Sequence, residues 1–184
     1  MTTFQLIYSD YKKHKKYGAN FFVILFLTQG FWASFQYRIA HFVVTKITWP
    51  PGKFFFKFGI ILWQKWIELI TGISIPASVK IGHSLYIGHF GGIIINSDAI
   101  LGDNCNLSQN VTIGVSGLGE KRGVPVIGNN VFIAANSVVA GKIQIEDDVL
   151  IGACSFVNTD VKTHTTVVGV PAVVISTNGS IGYI

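Results

Sequence analysis

The stretch VIGNNVFIAANSVVAGKIQIEDDVLIGACSFV, residues 126–157, decides the fold. Along it an aliphatic side chain returns every six residues, at Ile127, Ile133, Val139, Ile145, Ile151 and Val157. That period is neither the 3.6 of an amphipathic helix nor the 2 of a half-buried strand. Traced towards the N-terminus, the same spacing runs through two more blocks, Ile75, Ile81 and Ile87, then Ile95, Leu101, Leu107 and Ile113. The residue after each of these anchors is mostly small or polar, as at Gly82, Gly102, Ser108, Gly128 and Gly152. The residue four after is again small or aliphatic, as at Val79, Leu85, Cys105, Val131 and Val149. A six-residue unit cannot bury its own apolar side, so such units must stack. The pattern predicts a three-sided solenoid of parallel strands in which each hexad gives one flat side and one corner, and three hexads make a coil. Anchors point inward, and Gly, Asn or Asp at the corners admits the tight turn. Cys105 and Cys154 fall among these coils and are read as packing residues.

Breaks in the phase point to the functional part, because a solenoid accepts insertions only at its corners. Two residues are inserted between Ile87 and Ile95, directly after His89-Phe90-Gly91-Gly92. The 14 residues from Ile113 to Ile127 read as two hexads plus two, and put Val115 to Pro125 outside the prism as a loop. Both breaks are expected near His89. Of the other histidines, His41 is expected to pack inside a helix, His83 and His164 to sit at a corner and in the tail, and His14 to belong to a lysine run.

The first 72 residues differ in texture. They are rich in aromatics, carry no short repeat, and predict helices over Phe31 to Val44 and Phe54 to Ile70, with Pro50-Pro51-Gly52 breaking the chain between. Phe21 to Leu27 is too short an apolar run to span a bilayer and reads as a buried or interfacial helix. The chain therefore divides into a helical segment 1–72, a β-solenoid 73–175 and a tail 176–184. Hydrophobic residues make up 49% and charged ones 12%, with a mean hydropathy of +0.49, so apolar surface must be covered by a partner subunit or a membrane. Net charge is +5, concentrated early in Lys12, Lys13, Lys15 and Lys16, which read as a solvated helix start or as a site for anionic headgroups or an anionic polymer. No recognition motif accompanies the charge, which argues against nucleic acid. Two cysteines without metal-ligand spacing predict no disulfide framework and no metal site. A cytoplasmic protein is expected, with no cleavable leader and with peripheral contact at the inner face of the membrane as the alternative.

With these residues in view the chain resembles the hexapeptide-repeat acyltransferases, within them the serine acetyltransferase superfamily, close to its colanic-acid and capsule O-acetyltransferases. Gly30-Phe31 and Gln36-Tyr37-Arg38-Ile39-Ala40-His41 resemble the helical segment. Lys80-Ile81-Gly82, Ile87-Gly88-His89 and Asn110-Val111-Thr112-Ile113-Gly114 resemble the catalytic coils, and Thr166-Val167-Val168-Gly169-Val170-Pro171-Ala172 the closing one. The resemblance implies a left-handed parallel β-helix with an N-terminal α-helical segment. It implies acetyl-CoA as co-substrate, bound between subunits of a homotrimer, with a hexamer as the larger alternative. It places the general base on His89 and the cofactor groove on Ala134, Ala135, Ser155 and Gly169. An imidazole can take a proton near neutral pH from a hydroxyl attacking a thioester, and a backbone N–H at Gly91, Gly92 or Gly114 can meet the oxyanion.

Four positions depart from serine acetyltransferases. The aspartate before the catalytic histidine is Gly88, the second histidine of the loop is Val124, the orienting aspartate falls near Ser74, and an acidic residue of the helical part falls in the Lys12 to Lys16 region. A site for a free amino acid is expected to offer its ammonium group a carboxylate. The main expectation is therefore acetylation of a sugar hydroxyl in surface-polysaccharide synthesis, held by Asn96, Asn110 and Ser116. Serine O-acetylation is the first alternative, and a non-catalytic scaffold the second. A zinc hydratase would need His83, His89 and His164 to converge.

Overall fold

The computed structural model of the chain describes residues 1–47 and 50–184, the side chains of 50–54 aside. From Ile73 onward it winds as a left-handed β-helix around three faces. The first face stacks β1 (Ile73–Ser74), β4 (Ile93–Ile95), β7 (Thr112–Gly114), β10 (Val138–Ala140) and β13 (Phe156–Val157). The second stacks β2 (Lys80–Ile81), β5 (Ile100–Leu101), β8 (Val126–Ile127) and β11 (Gln144–Ile145). The third stacks β3 (Tyr86–Ile87), β6 (Asn106–Leu107), β9 (Phe132–Ile133), β12 (Leu150–Ile151), β14 (Thr166–Gly169) and β15 (Ala172–Ser176). Pairing is parallel except in the closing hairpin of β14 and β15.

Every anchor from Ile75 to Val157 is buried, which makes the inward column continuous. Val161 and Val167 extend it, after a step of four rather than six, so the periodicity read as ending at Val157 runs two hexads further. The left-handed backbone falls three residues after an anchor, at Ser84, Asn104, Asn110, Asn130, Asn136, Asp148 and Cys154. Short polar side chains tolerate that region best. Cys154 is therefore an exposed corner residue and not a packing residue; only Cys105 is buried. The glycine directly after an anchor serves a different need, close stacking: a Cβ on Gly102 would stand 2.6 Å from the Gly128 carbonyl of the next coil.

Register gives the size of each insertion. Ile94 pairs with Thr112, a regular eighteen-residue coil, and Ile73 with Ile93, a coil lengthened by two at the His89 corner. Ile100 pairs with Val126, a coil of 26 residues. Ile113 and Ile127 thus lie on adjacent faces, one hexad apart, and the loop adds eight residues rather than two.

The helical part comprises α1 (Thr3–Lys16), α2 (Phe21–Leu27), α3 (Gln29–Lys46) and α4 (Pro50–Thr71). Thr2 and Gln5 close a capping box on α1, and the Asn20 side chain accepts from Val23 N–H at the start of α2. Pro50 and Pro51 open α4, where a missing N–H is harmless, instead of separating helices that begin at Phe54. Thr48 and Trp49 lie outside the described residues. Within α2 only Ile24 is buried, so the buried reading of Phe21 to Leu27 does not hold.

Docking of α3 on the first coil explains its sequence. A Cβ on Gly30 would overlap the Ile87 carbonyl, so only glycine lets the helix backbone approach β3. Tyr37 Oη donates to Val79 O at 2.8 Å, and Arg38 donates to Ile81 O at 2.8 Å and Gly82 O at 2.6 Å. Arg38 also meets both oxygens of Asp10, at 2.9 and 3.0 Å, while Leu85 N–H donates to the same carboxylate at 2.8 Å. A buried ion pair is tolerable only when its polar atoms are satisfied in this way. Lys13 and His14, read as solvated, are buried against the coils: Lys13 Nζ donates to Asn104, and the His14 ring lies between Asp10 O and Ile87 O. Ala33, Tyr37 and Ile67 join the core of the prism, so the helices and the first coil share one interior.

The last residues run back along the edge between the second and third faces. Ser180 Oγ donates to Asn130 O at 2.6 Å, the Tyr183 ring meets Phe132, and Tyr17 Oη donates to Tyr183 O at 2.9 Å.

Candidate active site

His89 sits at the lengthened corner between β3 and β4, exposed, with no hydrogen bond to its ring among the described residues. The corner itself is held firmly. Gly91 N–H donates to Thr71 O at 2.7 Å, tying it to the end of α4, and Gly91 O accepts from Asn110 N–H at 3.1 Å in the coil below. Gly91 and Gly92 adopt φ of +99° and +54°, and a Cβ on Gly92 would strike the Asn110 side chain, so the two-residue insertion requires glycine there.

The same edge continues as a ladder. Asn110 Nδ2 donates to Asn136 Oδ1 at 2.9 Å, and Cys154 N–H donates to Ala135 O at 2.9 Å. Ala134, Ala135 and Gly169 all lie along it, Gly169 with φ +110° at the end of β14. Ser155 stands at its rim with a buried side chain, whose oxygen accepts from Gly169 N–H at 3.2 Å. The structure thus brings His89, Asn110, Ala134, Ala135 and Gly169 onto one edge of the prism.

Asn96 and Ser116 lie on another edge, between the first and second faces. Asn96 Oδ1 accepts from Asp98 N–H at 3.0 Å, and Ser116 pairs with Gly123 across the eight-residue insertion. There the loop and the next coil enclose a polar cavity of about 390 Å³ lined by Ser116, Gly117, Lys121, Lys142 and Asn158. Within one chain the two phase breaks therefore occupy different edges, contrary to the expectation that both lie beside His89. His83 and His164 lie on the third edge, against Asp103 at 3.3 Å and Asp148 at 3.7 Å, so the three histidines of the coils do not converge.

Three features near the His89 corner escaped the sequence reading. Ser74, the position matched to an aspartate, donates to Glu68 Oε1 at 2.8 Å, and Glu68 also receives Gln64 at 2.9 Å and Lys65 at 2.6 Å. Partial burial pushes the Glu68 carboxyl up, but these donors outweigh it and hold it below its ordinary range. A carboxylate therefore stands one residue contact behind Ser74, where spacing along the chain gave no sign of it. At Gly88 a Cβ would lie 3.1 Å from the Tyr86 ring, which stacks on Tyr17 at 4.2 Å between centroids, so the aromatic cluster crowds the place of the family's aspartate. The Asn110–Asn136 ladder was visible only as asparagine recurring three after an anchor.

Residues 125–159 match the family model described as bacterial transferase hexapeptide (six repeats). A serine acetyltransferase of Staphylococcus epidermidis is 43% identical over 112 residues, 61% of this chain and 53% of that protein. One from Synechococcus elongatus is 34% identical over 158 residues, 85% of this chain and 61% of that protein. The chain is related to the serine acetyltransferases and carries hexapeptide-transferase repeats. Among solved structures, the Neisseria gonorrhoeae serine acetyltransferase superposes with a TM-score of 0.81 at 29% identity, over 95% of this chain and 66% of that one; that enzyme is also known in complex with serine. The expected closeness to colanic-acid and capsule O-acetyltransferases finds no support in these serine acetyltransferase relatives, of whose length the chain spans 53–61%.

Proposed function

We propose that the chain is an acyltransferase that moves the acetyl group of acetyl-CoA onto an acceptor hydroxyl, with His89 as general base. The observation that carries this reading is the exposed imidazole at an insertion of the prism, in line along one edge with Ala134, Ala135 and Gly169, in a homologue of serine acetyltransferases. The acceptor oxygen attacks the thioester carbonyl as His89 takes its proton, and the imidazolium returns that proton to the departing CoA sulfur. Gly91 N–H is already given to Thr71 O, which leaves the Gly92 N–H of the glycine corner as the candidate donor to the oxyanion in that step.

The relatives favour L-serine as acceptor, and Glu68 holds a carboxylate behind Ser74, which pairs with Ile94 on the strand that leaves the His89 corner. A second reading, a sugar hydroxyl, is favoured by Gly88 and Val124, which offer an ammonium group no ionisable partner. Steady-state turnover of acetyl-CoA with L-serine, set against nucleotide-linked and lipid-linked sugars, decides between them. Faster turnover of serine is the expected outcome; transfer to sugars alone would reverse the assignment, and no thioester cleavage with any acceptor would remove the enzyme reading.

A further inference from the structure

A second feature of the chain lies away from the His89 edge. Helices α1 to α4 enclose an open groove of about 560 Å³, walled by Tyr8, Tyr11, Leu25, Trp32, Phe35 and Trp63 among others. Around it α2 turns Phe22, Phe26 and Leu27 outward, and α4 turns out Ile61, Trp66 and Leu69. An apolar surface of this extent marks a face that something covers.

The charges indicate what does so. Residues 1–72 hold nine of the fourteen Lys and Arg but two of the nine Asp and Glu, a net charge of +7 against −2 for the remainder. Both of those carboxylates are engaged, Asp10 by Arg38 and Glu68 by Lys65. Lys12, Lys15, Lys16 and Lys57 are exposed and meet no carboxylate among the described residues. On α1 the outward row reads Phe4, Tyr8, Lys12, then Lys15 and Lys16, with Lys12 Nζ 4.8 Å from the Tyr8 ring centroid. The apolar strip and the cationic end thus form one face. A second copy laid on that face would bring the exposed, unpaired lysines of two chains together, Lys12, Lys15, Lys16 and Lys57 in each, which repulsion opposes. An anionic bilayer complements both parts, taking the aromatic and aliphatic side chains at the acyl boundary and the lysines at its headgroups. None of the described helices is long and apolar enough to cross a membrane, so the contact is one of lying on the surface.

We propose that the helical half docks on an anionic phospholipid surface through the outward faces of α1, α2 and α4. The inference does not depend on acetyl transfer, and its test does not read activity. Full-length protein is sedimented with vesicles of phosphatidylcholine alone or mixed with phosphatidylglycerol, at low and high salt. It is expected to pellet with the mixed vesicles at low salt and to stay in solution with the neutral ones. Lys12→Gln with Lys15→Gln lowers the affinity by about fivefold per lysine. Phe22→Ser with Phe26→Ser releases the protein while its circular dichroism stays unchanged, since both side chains are exposed. Three results overturn the proposal: no pelleting with anionic vesicles, equal pelleting with neutral ones, or vesicle affinity untouched by both variants while the phenylalanine pair lowers the sedimentation coefficient. The last would give the face to a second copy.

Discussion

At the scale of the residue, His89 and His14 are opposites, one exposed and without a hydrogen bond, the other buried between two carbonyls. Removing His89 touches no packing, so His89→Ala should leave the melting temperature and assembly unchanged while lowering kcat by about 10²- to 10⁴-fold, the usual contribution of a positioned base. Near-normal turnover in that variant would strip His89 of its role. His14 acts on stability instead. Burial drives its pKa below the ordinary 6.5, against the pull of the Asp10 and Ile87 carbonyls. Below pH 6.5 the unfolded chain therefore binds a proton at this site that the folded chain still refuses, so stability is complete above 6.5 and falls as pH drops below it. Urea midpoints between pH 7.5 and 5 should show this decline, and His14→Gln should flatten it; an equal slope in both proteins would place the titrating group elsewhere.

At the scale of the element, the solenoid was legible because its anchors obey a rule a linear sequence can express, one inward side chain per six residues. All thirteen of them are buried. The size of the loop was not legible, since the step of 14 from Ile113 to Ile127 satisfies either two hexads plus two or one hexad plus eight. Only the pairing of Ile100 with Val126 distinguishes these, and pairing is a property of the stack. The exposure of Cys154 escaped for a related reason, because membership of a coil does not say whether a residue stands inside it or at its corner. Contacts from α4 to β1, such as Glu68 to Ser74, depend on the angle at which a helix meets a strand, which no periodicity encodes. The docking of α3 gives this scale its own prediction. Gly30→Ala pushes a methyl group into the Ile87 backbone and should destabilise the chain by about 1–3 kcal/mol, as overpacking does. Gly59→Ala, on α4 with open space around it, is the control and should be neutral or slightly stabilising. Equal denaturation midpoints for the two variants would mean that α3 does not rest on β3 through Gly30.

At the scale of the whole molecule, the proposed base and the loop with its polar cavity stand on different edges of one triangular prism. Rigid stacked coils cannot bend to bring two edges together, because the strands of the intervening face are hydrogen-bonded one to the next along the stack from β1 to β13. If both parts serve one reaction, the His89 edge of one subunit must face the loop edge of the next, an arrangement a cyclic trimer repeats three times. On that arrangement catalysis is divisible between chains. Take His89→Ala as one inactive partner, and a chain whose Val115 to Pro125 loop is replaced by a tight turn as the other. Unfolded and refolded together, the pair should regain acetyl transfer that neither regains alone, because some interfaces then join an intact histidine edge to an intact loop edge. The loop variant refolded by itself should remain assembled by sedimentation, since the loop lies outside the stacked strands. No recovery from the mixture, with both chains present in the same particles, would show that each subunit completes its site from its own residues and that the loop edge serves some other end.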